Sequence, residues 1–306
     1  MIEIEAQSEA MREVVGLAER VAATDANVLV TGESGVGKDA VASLIHNRSG
    51  RVAHSFVKID CATLPGHLLE AELFGYERGA FTGASESKPG RLEAAHRGTL
   101  VLDEIAYLPI DAQAKLLRVI ETREFERLGG RGTIKVDARL IALTNVDLTD
   151  AVRRRDFRED LFYRLNVVQI RVPPLRQRRE DLPALIRSFL KNYAAKHGRP
   201  VAGIAPAALA LLREYEFPGN VRELANTIER AVIVSTGERL EERDLPAAVS
   251  AAVKLQQRRE QPSTLAEIEA EYVSEVLAAT KGNKTEAARI LGISRKNLYE
   301  RIARLK

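Results

Sequence analysis

A glycine-rich octapeptide between an apolar run and a helix-forming run constrains this chain more than any other feature. Asn27–Thr31 is typical of a buried strand, residues 32–39 have the sequence GESGVGKD, and helix-forming residues follow from Ala40. Glycines let backbone N–H groups close around phosphate groups, and the start of the next helix adds positive potential. The octapeptide fits the G-x-x-x-x-G-K pattern of a phosphate loop. It predicts a nucleotide site made by Gly32, Glu33, Ser34, Gly35, Val36, Gly37, Lys38 and Asp39, with Lys38 reaching the β- and γ-phosphates.

Two acidic residues supply the second half of that site. Leu100–Leu102 is an apolar strand that ends in Asp103 and Glu104. At the carboxyl edge of a sheet, beside a phosphate loop, Asp103 can hold Mg²⁺ and Glu104 can orient an attacking water. Asp39 stands where a Ser or Thr hydroxyl usually binds Mg²⁺, so that hydroxyl ligand is missing, and the carboxylate could act in its place through a water. The pattern predicts hydrolysis of ATP.

Strands alternate with helical segments up to residue 172, which indicates a parallel α/β sheet. The predicted strands are 27–31, 55–59, 99–102, 138–143 and 166–170. Strand signals stop at Pro173, and only helical patterns follow. We therefore predict an α/β subdomain over 1–172, a helical subdomain over 173–245, a linker over 246–263 and a small all-α domain over 264–306.

Composition and charge exclude several classes of protein. No run of about 18 apolar residues could cross a membrane, and the acidic N-terminus is unlike a signal peptide. The single cysteine, Cys61, cannot form an internal disulfide, which favours a cytoplasmic protein. The net charge of +3 is uneven, because residues 281–306 carry eight Lys or Arg and two acids. The basic C-terminal end predicts contact with a polyanion.

That basic end has the pattern of a helix-turn-helix. Residues 283–291 favour a helix, Gly292 serves a tight turn, and Ser294 can cap a second helix over 295–305. We expect a small core of Ile290, Leu291, Ile293, Leu298 and Ile302. The second helix would enter the major groove of double-stranded DNA, with Arg295, Lys296, Asn297 and Arg301 as candidate contacts. Such units often bind as dimers, and the helix over 264–280 is expected to pair two chains.

The stretch GAFTGA combines small residues with one phenylalanine between charged flanks. Its two glycines disfavour a helix, and only Phe81 and Thr82 favour a strand. We therefore expect Gly79, Ala80, Phe81, Thr82, Gly83 and Ala84 to form an exposed loop with an apolar tip.

Five motifs together resemble the AAA+ domain of the sigma-54-dependent transcriptional activators, the bacterial enhancer-binding proteins. They are GESGVGKD at 32–39, GAFTGA at 79–84, TLVLDEI at 99–105, FREDLFYRLNV at 157–167 and FPGNVREL at 217–224. The likeness covers about residues 8–246, and a Fis-type helix-turn-helix covers the C-terminal end. It implies the AAA+ fold with a helical lid. It also implies a homo-oligomeric ring, usually a hexamer, with ATP and Mg²⁺ between subunits. Turnover would remodel the sigma-54 RNA polymerase holoenzyme, with the GAFTGA loop touching sigma-54.

The resemblance also implies roles for single residues. Asn145 matches sensor I, Arg222 matches sensor II in the lid, and Arg158 and Arg164 match the arginines of the finger segment. Arg158 is favoured as the finger, the alternative for each being a surface ion pair. Residues 124–129 resemble the second pore loop. An acid at position 39 is usual in the family. Asp60 stands where the family more often has Asn, whose side chain is thought to hold the Walker B glutamate, here Glu104, in its resting position. Asp60 cannot donate a hydrogen bond to Glu104 unless one of them is protonated or a water intervenes.

Two other functions compete with this interpretation: a DNA-binding regulator with a degraded ATPase, and a general AAA+ remodeller or helicase loader. The intact GAFTGA stretch disfavours both. Family members often carry an N-terminal regulatory domain, but here the ATPase begins almost at Met1. Either such a domain has been removed or control acts in trans.

Overall fold

A computed structural model describes residues 4–260 and 264–304. The chain divides after Leu245 into two compact units. Within the described ranges, no helix is long and apolar enough to cross a membrane.

The first unit is built on five parallel strands, all of which the sequence predicted to within two residues. They are β1 (Val28–Thr31), β2 (Phe56–Asp60), β3 (Thr99–Asp103), β4 (Arg139–Thr144) and β5 (Val168–Arg171). Their order across the sheet is β2-β3-β4-β1-β5. The interior strand β1 pairs with β4 on one side and β5 on the other, so its carboxyl end, where the octapeptide begins, lies between the ends of two other strands.

Helices cover both faces of this sheet. One core contains Leu100, Leu102 and Leu116, and the other contains Val30, Ile45 and Ile141. Alternate residues of each strand therefore face different cores, as a buried parallel sheet requires. The helices of this α/β part are α1 (Glu9–Ala22), α2 (Lys38–Asn47), α3 (Gly66–Phe74), α4 (Arg91–Ala94), α5 (Ile110–Thr122), α6 (Leu148–Arg153) and α7 (Glu159–Leu165).

The helical subdomain follows within the same unit. It contains α8 (Leu182–His197), α9 (Pro206–Glu214) and α10 (Asn220–Val234). Two-residue strands at Gly203–Ile204 and Arg239–Leu240 close it. Two short antiparallel pairs project from the α/β part, Gly75–Tyr76 with Lys88–Pro89 and Glu124–Glu126 with Thr133–Lys135.

The second unit contains α11 (Ala247–Glu260), α12 (Leu265–Ala279), α13 (Lys284–Leu291) and α14 (Arg295–Arg304). Most of the segment predicted as a linker is therefore helical, and it buries Val249 and Val253 one turn apart. The helix-turn-helix has the expected turn, because Gly292 adopts a φ of 67° and Ser294 Oγ accepts the N–H of Asn297.

The expected core of the helix-turn-helix was wrong at one position. Leu298 is fully buried, with Ile293 and Ile302 packed against it, whereas Ile290 is 49% exposed. The short α13 turns Ala287, Ala288 and Leu291 toward α12, and Ile290 lies off that face.

Candidate nucleotide site and DNA-binding helices

The phosphate loop curls around the start of α2. Gly35 and Gly37 have φ values of 76° and 104°, a region that favours glycine. Lys38, at 7% exposure, donates from Nζ to the carbonyls of Gly32 at 2.8 Å and Glu33 at 3.2 Å. Burial lowers the pKa of Lys38, and the charge of Glu104 opposes that shift. The ammonium is thus held under the loop, at the place where phosphate oxygens would meet it.

The two predicted acids lie beside this lysine at the end of β3. Glu104 Oε1 is 3.8 Å from Lys38 Nζ, and Oε2 accepts the backbone N–H of Asn145 at 3.2 Å. Glu104 has a φ of 50°, which is strained for a residue with a side chain. Asp103 Oδ1 accepts the N–H of Glu104 at 3.0 Å. The structure therefore brings Lys38, Asp103, Glu104 and the backbone of Asn145 together.

Lys58 is a member of this site that sequence reasoning missed. Its Nζ lies 2.5 Å from Asp39 Oδ1 and 2.8 Å from Asp103 Oδ2. Burial lowers the pKa of Lys58, but hydrogen bonds to Asp103 and Asp39 outweigh that effect and leave the pKa raised. An alternating strand pattern gives no sign that a lysine in β2 meets two acids from other elements.

The helical subdomain closes directly on the phosphate loop. Arg222 donates from Nη1 to Ser34 Oγ at 3.0 Å. Asn220, which the sequence analysis did not single out, donates from Nδ2 to the Ser34 carbonyl and to Glu33. A methyl group at Gly35 would lie 2.4 Å from the Gly219 carbonyl, so only glycine permits this close approach. The pattern GNVREL thus contains two lid contacts, where one was expected.

A buried pair of charges supports the loop from beneath. Arg178 donates from Nη2 to the Val36 carbonyl at 2.5 Å, and Asp181 lies within 4.0 Å of the same guanidinium. Asp181 is fully buried and accepts hydrogen bonds from the backbone N–H groups of Gln7 and Ser8 and from the Ser8 hydroxyl. The residues before α1 are therefore connected to the phosphate loop through two side chains.

The two finger candidates lie at the surface around α7. Arg158 pairs with Asp160 at 2.7 Å, and its N–H is held by the buried Gln113 at 2.8 Å. Arg164 pairs with Glu121 at 3.0 Å. Within the described residues, the hydrogen bonds and ion pairs of these two guanidinium groups go to Asp160 and Glu121 and not to the phosphate loop. Asp60 likewise accepts the N–H of Ala62, and its described bonds do not include Glu104.

The GAFTGA loop is a tight turn with a partly covered tip. Gly79 donates to the Ala84 carbonyl at 2.8 Å, and Ala84 donates to the Phe81 carbonyl at 3.0 Å. Phe81 is 39% exposed, and its ring packs edge-on against Tyr76 with centroids 5.0 Å apart. Ala84 is buried, so the six residues are not uniformly exposed. Gly79 and Gly83 have φ values of 83° and 104°.

Of the four candidate DNA contacts, three are free to reach a ligand. Arg295, Lys296 and Asn297 are exposed at the start of α14. Arg301 instead forms an ion pair with Glu269 of α12, so its guanidinium is engaged within the unit. On α12, Ile268 and Tyr272 are exposed one turn apart, which leaves an apolar stripe on the helix expected to pair two chains.

Comparison with known proteins places these features in one family. Residues 4–171 match the Sigma-54 interaction domain, residues 176–262 the AAA+ ATPase lid domain, and residues 264–305 the Fis family of bacterial regulatory proteins. The chain belongs to the sigma-54-dependent transcriptional regulators. The lid match extends over α11, which the packing places in the second compact unit.

Relatives of this family match almost the whole chain. It is 45% identical to regulatory protein AtoC of Escherichia coli over 96% of this chain and 66% of that protein. It is 48% identical to transcriptional regulatory protein ZraR of Klebsiella oxytoca over 97% of this chain and 68% of that protein. The chain thus spans about two thirds of the length of these relatives. NtrX of Brucella abortus, solved in complex with ATP, superposes with a TM-score of 0.76 at 36% identity, covering 99% of this chain and 70% of that one.

Proposed function

We propose that this chain hydrolyses ATP at the phosphate loop and uses the energy, through the GAFTGA loop, to remodel a sigma-54 RNA polymerase closed complex into an open complex. The observation that carries the proposal is the convergence of Lys38, Glu104, the Asn145 backbone and the lid residue Arg222 around one loop. An ATPase with a degraded site would not retain these contacts, which argues against the competing DNA-binding regulator.

Each side chain has a definite task in hydrolysis. Lys38 and the backbone N–H groups of the loop would bind the β- and γ-phosphates, and Arg222 would report the nucleotide to the lid. Glu104 would orient the attacking water, and the N–H of Asn145 fixes one oxygen of that carboxylate. Asp60 accepts a hydrogen bond from the N–H of Ala62, so we do not propose that it positions Glu104.

Mg²⁺ fits this site through one carboxylate. The described residues contain no cluster of three or more His, Cys, Asp or Glu side chains that could hold a metal ion. Magnesium in nucleotide sites commonly takes one or two carboxylates and completes its shell with phosphates and water. Asp103 would hold it, and the ion would neutralise charge on the phosphates.

Assembly into a ring would complete the site. Arg158, whose backbone N–H donates to Gln113, would reach a nucleotide on a neighbouring subunit, where its guanidinium would stabilise the transferring phosphoryl group. Arg164 would add a second positive charge to the surface around α7 that meets the neighbouring subunit. Repeated head-to-tail contacts of this kind close into rings, and we propose a hexamer.

The second unit would bring the ring to upstream DNA. Arg295, Lys296 and Asn297 lie at the exposed start of α14, where recognition helices contact base edges. The exposed pair Ile268 and Tyr272 would join two chains, so that two α14 helices read neighbouring half-sites. Because its proposed partners are DNA and RNA polymerase, the protein would act in the bacterial cytoplasm.

The test separates hydrolysis from remodelling. Phe81→Ala and Thr82→Ala should keep ATPase activity within about twofold, because neither side chain belongs to the phosphate site, and should abolish open-complex formation at a sigma-54 promoter, since an apolar tip loses most of its contact area on truncation. Glu86→Gln, exposed in the same loop and outside the tip, is the matched control. Normal promoter opening by both tip variants would refute the role of the loop. Loss of ATPase activity in both would show that Phe81 supports the fold instead.

A further inference from the structure

Lys58 lies between two carboxylates that come from different elements. Its strand, β2, is at the edge of the sheet, and Asp103 ends the neighbouring strand β3. Asp39 belongs to the first turn of α2. The ammonium is within hydrogen-bond distance of both, at 2.5 Å from Asp39 Oδ1 and 2.8 Å from Asp103 Oδ2. Both acids are therefore close to one another and share one positive charge.

We propose that Lys58 is a positioning residue that competes with the divalent cation for Asp103, so that the site takes its metal ion together with the nucleotide and not before it. The inference rests on the proposed role of Asp103 as the Mg²⁺ ligand. It goes beyond that role because it assigns the order of binding to a residue outside the phosphate loop and the β3 acids.

The physical reason is charge. A divalent ion on Asp103 Oδ2 would lie next to the ammonium, and like charges a few ångströms apart repel strongly where water is partly excluded. Asp103 is largely buried, with 16% of its side chain exposed, so screening by water is weak there. The phosphates of a nucleotide add enough negative charge to bring the cation in.

Asp39 can keep the Lys58 ammonium as an ion-pair partner when a metal ion binds Asp103. It is about half exposed and already bonded to Lys58, so the ammonium can leave Asp103 without losing every partner. This also gives Asp39 a use at the position where a hydroxyl would have been a metal ligand. Without Lys58, Asp39 and Asp103 would form an uncompensated pair of carboxylates, which is an attractive site for a hard cation.

Metal binding without nucleotide tests the inference directly. Mn²⁺ serves as the probe, and its free concentration is followed by electron paramagnetic resonance in the full chain. Lys58→Met should bind Mn²⁺ about tenfold more tightly than the parent protein, because the competing charge is gone. Lys58→Arg keeps the charge and should bind as weakly as the parent. Added Mg²⁺ should raise the melting temperature of Lys58→Met more than that of the parent.

The outcomes separate this inference from the metal assignment on which it rests. Equal or weaker Mn²⁺ binding by folded Lys58→Met would overturn the competition. Adding Asp103→Asn to Lys58→Met should abolish the gain, and an unchanged gain would show that Asp103 is not the ligand. Should Lys58→Met fail to fold, Asp39→Asn gives a second test. It leaves the lysine on Asp103 alone, so Mn²⁺ binding to the ADP complex should weaken several-fold, and unchanged binding would refute the inference.

Discussion

Glu33 is a phosphate-loop residue that accepts hydrogen bonds from two side chains of the helical subdomain. It accepts two bonds from Arg176 and one from Asn220. Hydrogen bonding to Arg176 is the largest cause, and hydrogen bonding to Asn220 the next, of the lowering of the pKa of Glu33 from 4.5 to about 2. A carboxyl whose pKa is depressed in the folded state stabilises the fold above its unfolded pKa, and the contribution disappears as pH falls toward the folded pKa.

The first expectation is therefore a pH-dependent loss of stability. Because Glu33 is 43% exposed, its contribution should be no more than about 1 kcal/mol after screening. The difference in unfolding free energy between the parent and Glu33→Gln should be constant from pH 7 to about 5 and shrink below about 4.5. Urea titrations across that range measure it, with the exposed Glu13→Gln as control. A difference that grew as pH fell would contradict the sign.

Two arginines of α14 should behave differently despite their common charge. Arg295 is exposed, whereas Arg301 is paired with Glu269. Arg295→Ala should lower the salt dependence of binding to a random-sequence duplex by about one unit of slope, as the loss of one phosphate contact requires. Arg301→Ala should change the slope less and lower the melting temperature of the second unit more. Equal effects of both on the slope would show that the Glu269 pair opens on DNA.

At the scale of elements, the GAFTGA loop and the hairpin over 124–135 form one structure. The N–H of Glu77 donates to the Leu128 carbonyl and the N–H of Leu128 donates to the Gly75 carbonyl. Arg127 bridges Glu77 and Glu93 with three hydrogen bonds. The bond to Glu93 raises the pKa of Arg127 above its usual range, with a smaller contribution from Glu77. A methyl group at Gly129 would lie 2.8 Å from the Ala80 side chain, so the two loops also touch at their tips.

Removing that bridge should loosen the GAFTGA loop without affecting the nucleotide site. Arg127→Ala should keep nucleotide affinity within about twofold and increase tryptic cleavage after Arg78, at the base of the loop, by several-fold. The matched control is Arg131→Ala, at the exposed tip of the hairpin. Cleavage after Arg78 at the parental rate would mean that backbone pairing alone holds the loop.

Local sequence patterns predicted the helices and strands well, but they could not predict contacts between elements that are distant in the sequence. The five strands and the helices of the helix-turn-helix follow from runs of apolar residues and from caps such as Ser294. The phosphate loop and the β3 acids follow from spacing within one segment. The contacts of Lys58 with Asp103, of Arg178 with Val36 and of Asp181 with Ser8 form only on folding, because the partners are far apart in the sequence. The helix in the segment predicted as a linker was missed because Val249, Val253 and Leu255 are its only large apolar residues among Ala, Gln and charged residues.

At the scale of the whole molecule, the residues that we propose for hydrolysis lie at two separate places in the first unit. Glu104 is beside Lys38 under the phosphate loop, whereas Arg158 is bonded to Asp160 and Gln113 around α7. This separation is what the proposed head-to-tail ring would use, with Glu104 of one subunit facing Arg158 of the next. The expectation that follows concerns mixtures of subunits.

Glu104→Gln and Arg158→Ala subunits should each bind ATP and hydrolyse it at a few per cent of the parental rate or less, as arginine fingers and water-orienting residues generally demand. In a random equimolar mixture, about a quarter of the interfaces would pair an intact Glu104 with an intact Arg158, so ATPase activity should return to about that fraction. Arg153→Ala, an ion-paired arginine nearby, should retain activity alone. Sedimentation must show that mixed rings form. If such rings stayed inactive, Arg158 would act within its own subunit, after turning away from Asp160.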